Sequence, residues 1–65
     1  MNYVIWRQYM DGPVEYMQDW HDSWTDNPEK AYRLSMAMAR QETEKLRDWF
    51  SNCQGMFISF ESIEQ

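Results

Sequence analysis

The sequence predicts an α+β fold: a small two-layer domain with a three-stranded antiparallel sheet, order 2-1-3, and one main helix packed on one face. Three observations lead there. A β-branched and aromatic opening segment is cut by Asp11-Gly12-Pro13, a long stretch of helical period follows Asn27-Pro28, and a segment of period two closes the chain.

The opening segment, Asn2 to Met10, carries Tyr3, Val4, Ile5, Trp6 and Tyr9, residue types that fit a pleated, half-buried surface. Asp11-Gly12 offers the positive φ of a tight hairpin turn, and Pro13 cannot donate to a ladder. A second strand from Val14 to about Gln18 completes the hairpin. A helix competes for residues 14–24, because Pro13 suits a first helical turn and Met17, Trp20 and Trp24 follow helical spacing. On the strand reading, Asp19 to Thr25 is a connection carrying Trp20 and Trp24.

The main helix starts from Asn27 as N-cap, with Pro28 at the first position and Glu29 complementing the helix dipole. Ala31, Leu34, Met38, Glu42, Leu46 and Trp49 or Phe50 recur every three or four residues and form its mostly apolar stripe. Arg40, Glu44 and Arg47 suit charge pairs on the exposed side. Ser35 offers a second cap, so a break near Arg33-Leu34-Ser35 is compatible with the pattern. Asn52 and Gly55 are stop signals. In the last segment Met56, Ile58 and Phe60 share one face and Phe57, Ser59 and Glu61 the other, a half-buried strand; Glu64-Gln65 should fray. A third strand beside the first runs antiparallel to it and keeps the crossover short and right-handed.

Sixty-five residues allow one domain. A chain this short buries only about 60% of its unfolded surface, so stability is marginal. Cys53 is the only cysteine, which excludes an internal disulfide and fits a small buried thiol in a reducing compartment. The remaining source of stability is apolar bulk: four Trp, four Tyr, three Phe and six Met. So small a core can hardly cover all these rings, so an aromatic cluster is expected at a homodimer or partner surface, the open sheet face being its natural place. Met36 and Met38 are expected as adaptable core filler. No apolar run approaches the ~18 residues that span a membrane, and no basic region precedes an apolar run at the N-terminus. The expected location is the cytoplasm, with no membrane partner.

Charge is the most informative feature. Net charge is −5. Asp11, Glu15, Asp19, Asp22, Asp26 and Glu29 fall in one stretch without Lys or Arg, while five of the six basic residues lie between Lys30 and Arg47. A solvated, solubilising loop explains this pattern. A surface steering toward a basic partner explains it too. The same charge argues against direct nucleic-acid binding, since no basic stripe is present to displace counterions. The candidate partner-binding residues are Asp11, Glu15, Tyr16, Asp19, Trp20, Asp22, Trp24 and Asp26, an aromatic cluster ringed by carboxylates.

Signals for chemistry are weak. His21 lies among Asp19, Asp22 and Asp26, but a lone His without ligand-spaced Cys makes a poor metal site. Ser23 near His21 lacks the rest of a triad. Gly12 and Gly55 are isolated turn residues, not a phosphate loop. No catalytic residue, metal or cofactor is expected.

The string Trp24-Thr25-Asp26-Asn27-Pro28-Glu29-Lys30-Ala31-Tyr32-Arg33-Leu34-Ser35, followed by a helix with Ala39 and a final strand, resembles many short bacteriophage proteins. In these, a hairpin leads to a Trp-Thr pair, an Ala, a Phe or Leu before Ser or Thr, then a helix and a last strand. Leu34 stands where the large aromatic is usual. The resemblance covers about two-thirds of the chain and implies an accessory or host-takeover protein acting in the host cytoplasm. Inhibitors of host polymerases, nucleases or defence complexes belong to that group. It carries no functional residue over. The resulting expectation is a non-enzymatic inhibitor or adaptor that docks on a basic patch of a host nucleic-acid-handling or defence protein. The alternative is an assembly module forming a homo-oligomer through its open sheet face or edge strand.

Overall fold

The computed structural model describes residues 2–19 and 23–63. The fold is α+β, with one α-helix and an antiparallel sheet of four strands, one more than expected. The strands are β1 (Tyr3–Tyr9), β2 (Val14–Asp19), β3 (Ser23–Thr25) and β4 (Met56–Ser62), in the order β3-β2-β1-β4. The expected hairpin and the antiparallel placement of the last strand beside β1 are present. The strand reading of residues 14–19 holds over the helical one.

The additional strand replaces part of the connection expected from Asp19 to Thr25. Tyr16 pairs with Thr25 and Met17 with Trp24, with a register shift between Met17 and Asp19. Three residues are too few to show a period of two, and Trp24 gains its strand conformation from packing against the core. Trp20, His21 and Asp22 lie outside the described residues, as do Glu64 and Gln65.

The hairpin turn differs as well. Met10, not Asp11 or Gly12, has the positive φ, 52°. Its N–H donates to the carbonyl of Gly55 at 2.7 Å, so pairing with the residue that precedes β4 holds the turn's conformation. Gly55 itself sits at φ 86°, where a Cβ would stand 2.9 Å from Cγ of Met10. A side chain is excluded there by both backbone and neighbour.

The helix is shorter and later than its apolar stripe suggests. Asn27 does cap, accepting from the N–H of Glu29 at 3.0 Å, but what it caps is a single 3₁₀ turn, Pro28–Lys30. The chain then runs extended. Tyr3 and Leu34 exchange hydrogen bonds of 3.0 and 2.8 Å, and the N–H of Tyr32 donates to the carbonyl of Met17 at 2.8 Å. These bonds hold residues 32–34 against β1 and β2 and keep them out of a helix. Ser35 then caps α1 (Met36–Trp49), its Oγ accepting from the N–H of Met38 at 3.3 Å.

Within α1 the expected stripe holds at Glu42 and Leu46 and fails at Met38. The buried residues of α1 are Ala39, Glu42, Thr43 and Leu46. Met36 and Met38, expected as core filler, are exposed: two residues apart on a helix, they point about 200° from each other and fall on either flank of the face that α1 buries. Arg47 does not pair along the helix; its Nε donates to the carbonyl of Ile58 at 2.8 Å. Cys53 is exposed in the turn after α1, not buried.

The core lies between α1 and one face of the sheet. Ile5, Met17, Leu34, Ala39, Leu46 and Ile58 form it, with Tyr3, Trp24, Phe50, Met56 and Phe60 packed against it. No helix among the described residues is long and apolar enough to cross a membrane.

Candidate functional site

Residues that pair directly across an antiparallel sheet share a face, and neighbours along a strand alternate. Arg7 pairs with Glu15 and with Ile58, and Met17 pairs with Trp24, so these residues face α1. Trp6 pairs with Tyr16 and Ser59, Gln8 with Val14 and Phe57, and Tyr16 with Thr25, so these face away. The sheet therefore has a covered face and an open one.

On the covered face the charges are neutralised locally. Nε of Arg7 lies 3.0 Å from Oε1 of Glu15, with both side chains only partly exposed. The same guanidinium stacks over the Trp24 ring at 4.1 Å, a cation–π contact. Beside it, Trp24, Leu46, Trp49 and Phe50 enclose a recess of about 250 Å³. Trp49 is 70% exposed and stacks on Phe50 with ring centroids 6.5 Å apart.

The open face is aromatic and nearly uncharged. Trp6, Val14 and Tyr16 are half-buried, and Phe57 is 60% exposed. Gln8, Thr25 and Ser59 fill the positions between them. Glu61, paired with Val4, is its single charged residue among the described pairs. Val4 is fully buried, so the accessible apolar surface lies toward the hairpin end, where Met10 is 58% exposed. Further exposed acidic residues lie at the ends of the strands that carry the face: Asp11 in the hairpin turn, Asp19 at the end of β2 and Asp26 after β3.

The eight candidate residues are thus divided. Tyr16 lies on the open face, and Asp11, Asp19 and Asp26 are exposed at the ends of the strands. Glu15 and Trp24 belong to the opposite face, where they engage Arg7. Trp20 and Asp22 lie outside the described residues. Reading the sequence as one acidic run missed Trp6 and Phe57. The signal for Phe57 was present, since the alternation of residues 56–61 already turns it away from the core. Trp6 is in the opening strand, too far along the chain from the acidic run to be grouped with it.

A larger groove, about 550 Å³, follows the β4 side of the molecule and is lined by Trp6, Phe50, Met56, Phe57 and Ile58 among others. Among the described residues no three His, Cys, Asp or Glu side chains gather as metal ligands. Thr43 buries its hydroxyl without a hydrogen-bond partner among them, but it lines neither cavity. In comparisons with known proteins, no family model, no curated protein and no solved structure matches this chain.

Proposed function

We propose that this protein is a non-enzymatic binding module that docks through its open sheet face on a basic surface of another protein. One observation carries the reading: an aromatic face with a single charged residue, bearing Trp6, Tyr16 and Phe57, belongs to a chain of net charge −5 whose strand ends carry the exposed Asp11, Asp19 and Asp26. Aromatic rings supply the desolvated centre of an interface and charged rims supply steering and partner choice. Such carboxylates compete with phosphate for Lys and Arg, which suits an inhibitor or adaptor of a nucleic-acid-handling or defence protein. The resemblance to small phage proteins supports a host protein as that target and the host cytoplasm as the place.

The test is affinity capture from bacterial lysate at low and high salt. The tagged protein should retain a basic protein whose recovery falls as salt rises. Replacing Asp11, Asp19 and Asp26 together by Lys should abolish that retention while leaving the circular dichroism spectrum unchanged. Equal recovery by the wild type and the folded triple variant would overturn the reading.

A further inference from the structure

The two edges of the sheet are unequal. β3 has three residues and β4 has seven. Two bonds bracket the β1–β4 ladder: the N–H of Met10 to the carbonyl of Gly55, and the N–H of Ile63 to the carbonyl of Asn2, both 2.7 Å. Antiparallel alternation then turns the backbone groups of Phe57, Ser59 and Glu61 toward β1, and those of Met56, Ile58, Phe60 and Ser62 outward. Two outward groups are occupied. The N–H of Met56 donates to the carbonyl of Cys53 at 3.3 Å, and the carbonyl of Ile58 accepts from Arg47 at 2.8 Å. Those of Phe60 and Ser62 have no partner among the described residues. The 550 Å³ groove runs beside this edge.

A row of outward N–H and C=O groups at every second residue is matched by one kind of occupant, an extended backbone. We propose that the free edge of β4 is a homodimer interface, in which a second copy adds its own β4 antiparallel and the two sheets become one. The strand is its own complement. Full overlap of Met56–Ser62 with itself places the two-fold axis at Ser59, pairs Ile58 with Phe60 and Met56 with Ser62, and sets outward groups against outward groups, save the Met56 N–H, which stays with the Cys53 carbonyl. The Ile58 carbonyl keeps a second lone pair for the incoming N–H. The partner's Phe60 lies beside Ile58, at the part of the groove formed by Phe50, Met56 and Ile58.

Charge opposes a second copy only weakly in this register. Glu61 is the only charged residue of β4, and it falls opposite Phe57. The two Glu61 side chains are then four residues apart along the strands, roughly 13 Å, beyond the Debye length of about 8 Å at physiological salt. The whole-molecule repulsion of two −5 chains is diffuse and screened. Dimerisation therefore strengthens as salt rises, whereas docking on a basic partner weakens. The two readings fail independently. Were both correct, the dimer would present two open faces side by side.

The experiment is sedimentation equilibrium across concentration and salt, on the wild type and on Ser59→Lys and Ser59→Glu. Ser59 meets its copy at the axis as a non-hydrogen-bonded pair, where side chains are closest, so either variant places like charges face to face. Wild type should dimerise. Each variant alone should dimerise at least about tenfold more weakly, and an equimolar mixture of the two should recover wild-type association. A wild type monomeric at its highest soluble concentration overturns the proposal. So does a dimer that either charged variant leaves intact.

Discussion

Ile5 and Trp6 are consecutive residues of β1 with opposite surroundings. Ile5 is fully buried under α1, where Met17, Leu46 and Ile58 surround it. Trp6 is half-buried on a face that no helix covers. The covered face also consumes its own polar groups, since Arg7 engages both Glu15 and Trp24. The open face leaves its rings uncovered and carries a single charged residue among the described pairs. The same pleat thus separates residues that stabilise the molecule from residues free to bind something else, and substitutions on the two faces should differ in kind.

The largest effect belongs to the covered face. Ile5→Ala removes a fully buried side chain from the centre of the cluster, and such truncations cost about 2–5 kcal/mol. For a 65-residue domain that is a large share of its stability. Urea denaturation should show the midpoint collapse, and a loss below about 1 kcal/mol would break the distinction between faces.

Arg7→Met tests whether polar groups on the covered face are held there. The change removes an ion pair at 3.0 Å and a cation–π contact at 4.1 Å, but keeps the apolar stem over Trp24. Both charged partners keep some solvent contact, at 24% and 41%, so screening limits the loss to about 1–2 kcal/mol. Tryptophan fluorescence should shift, because the guanidinium leaves the Trp24 ring. Unchanged stability and emission would show that the contact contributes nothing.

The covered face was largely legible in the sequence. Alternation in residues 56–60 assigned Met56, Ile58 and Phe60 to it, and the hairpin pattern placed β1 and β2 together. What local pattern could not supply was the start of α1. Asn27-Pro28-Glu29 is a good helix opening, yet the backbone of Tyr3 takes Leu34 into a bridge and the cap moves to Ser35. Long-range hydrogen bonds overrode a local signal; within α1 the stripe still holds at Glu42 and Leu46, with Ala39 and Thr43 buried and Met38 exposed. Less of the candidate site was legible. Adjacency along the chain grouped Glu15 and Trp24 with Tyr16, but the pleat puts them on opposite faces. Trp6 and Phe57 meet the site only through pairing of β1 with β2 and β4, which no single segment encodes.

The smallest stability effect is expected where the functional one is largest. Phe57 is 60% exposed and carried by a strand whose ladder to β1 does not depend on its side chain. Surface replacements of this kind usually stay within about 0.5 kcal/mol, and Phe57→Ser should denature at nearly the wild-type urea concentration. On the proposed docking face, however, its ring is the most accessible aromatic group, and interface rings of this type carry a large share of affinity. Capture of the basic partner should therefore fall sharply while the fold is unchanged. A parallel loss of stability would place Phe57 with Ile5 as a packing residue, and an unaltered capture would move the binding surface off the open face.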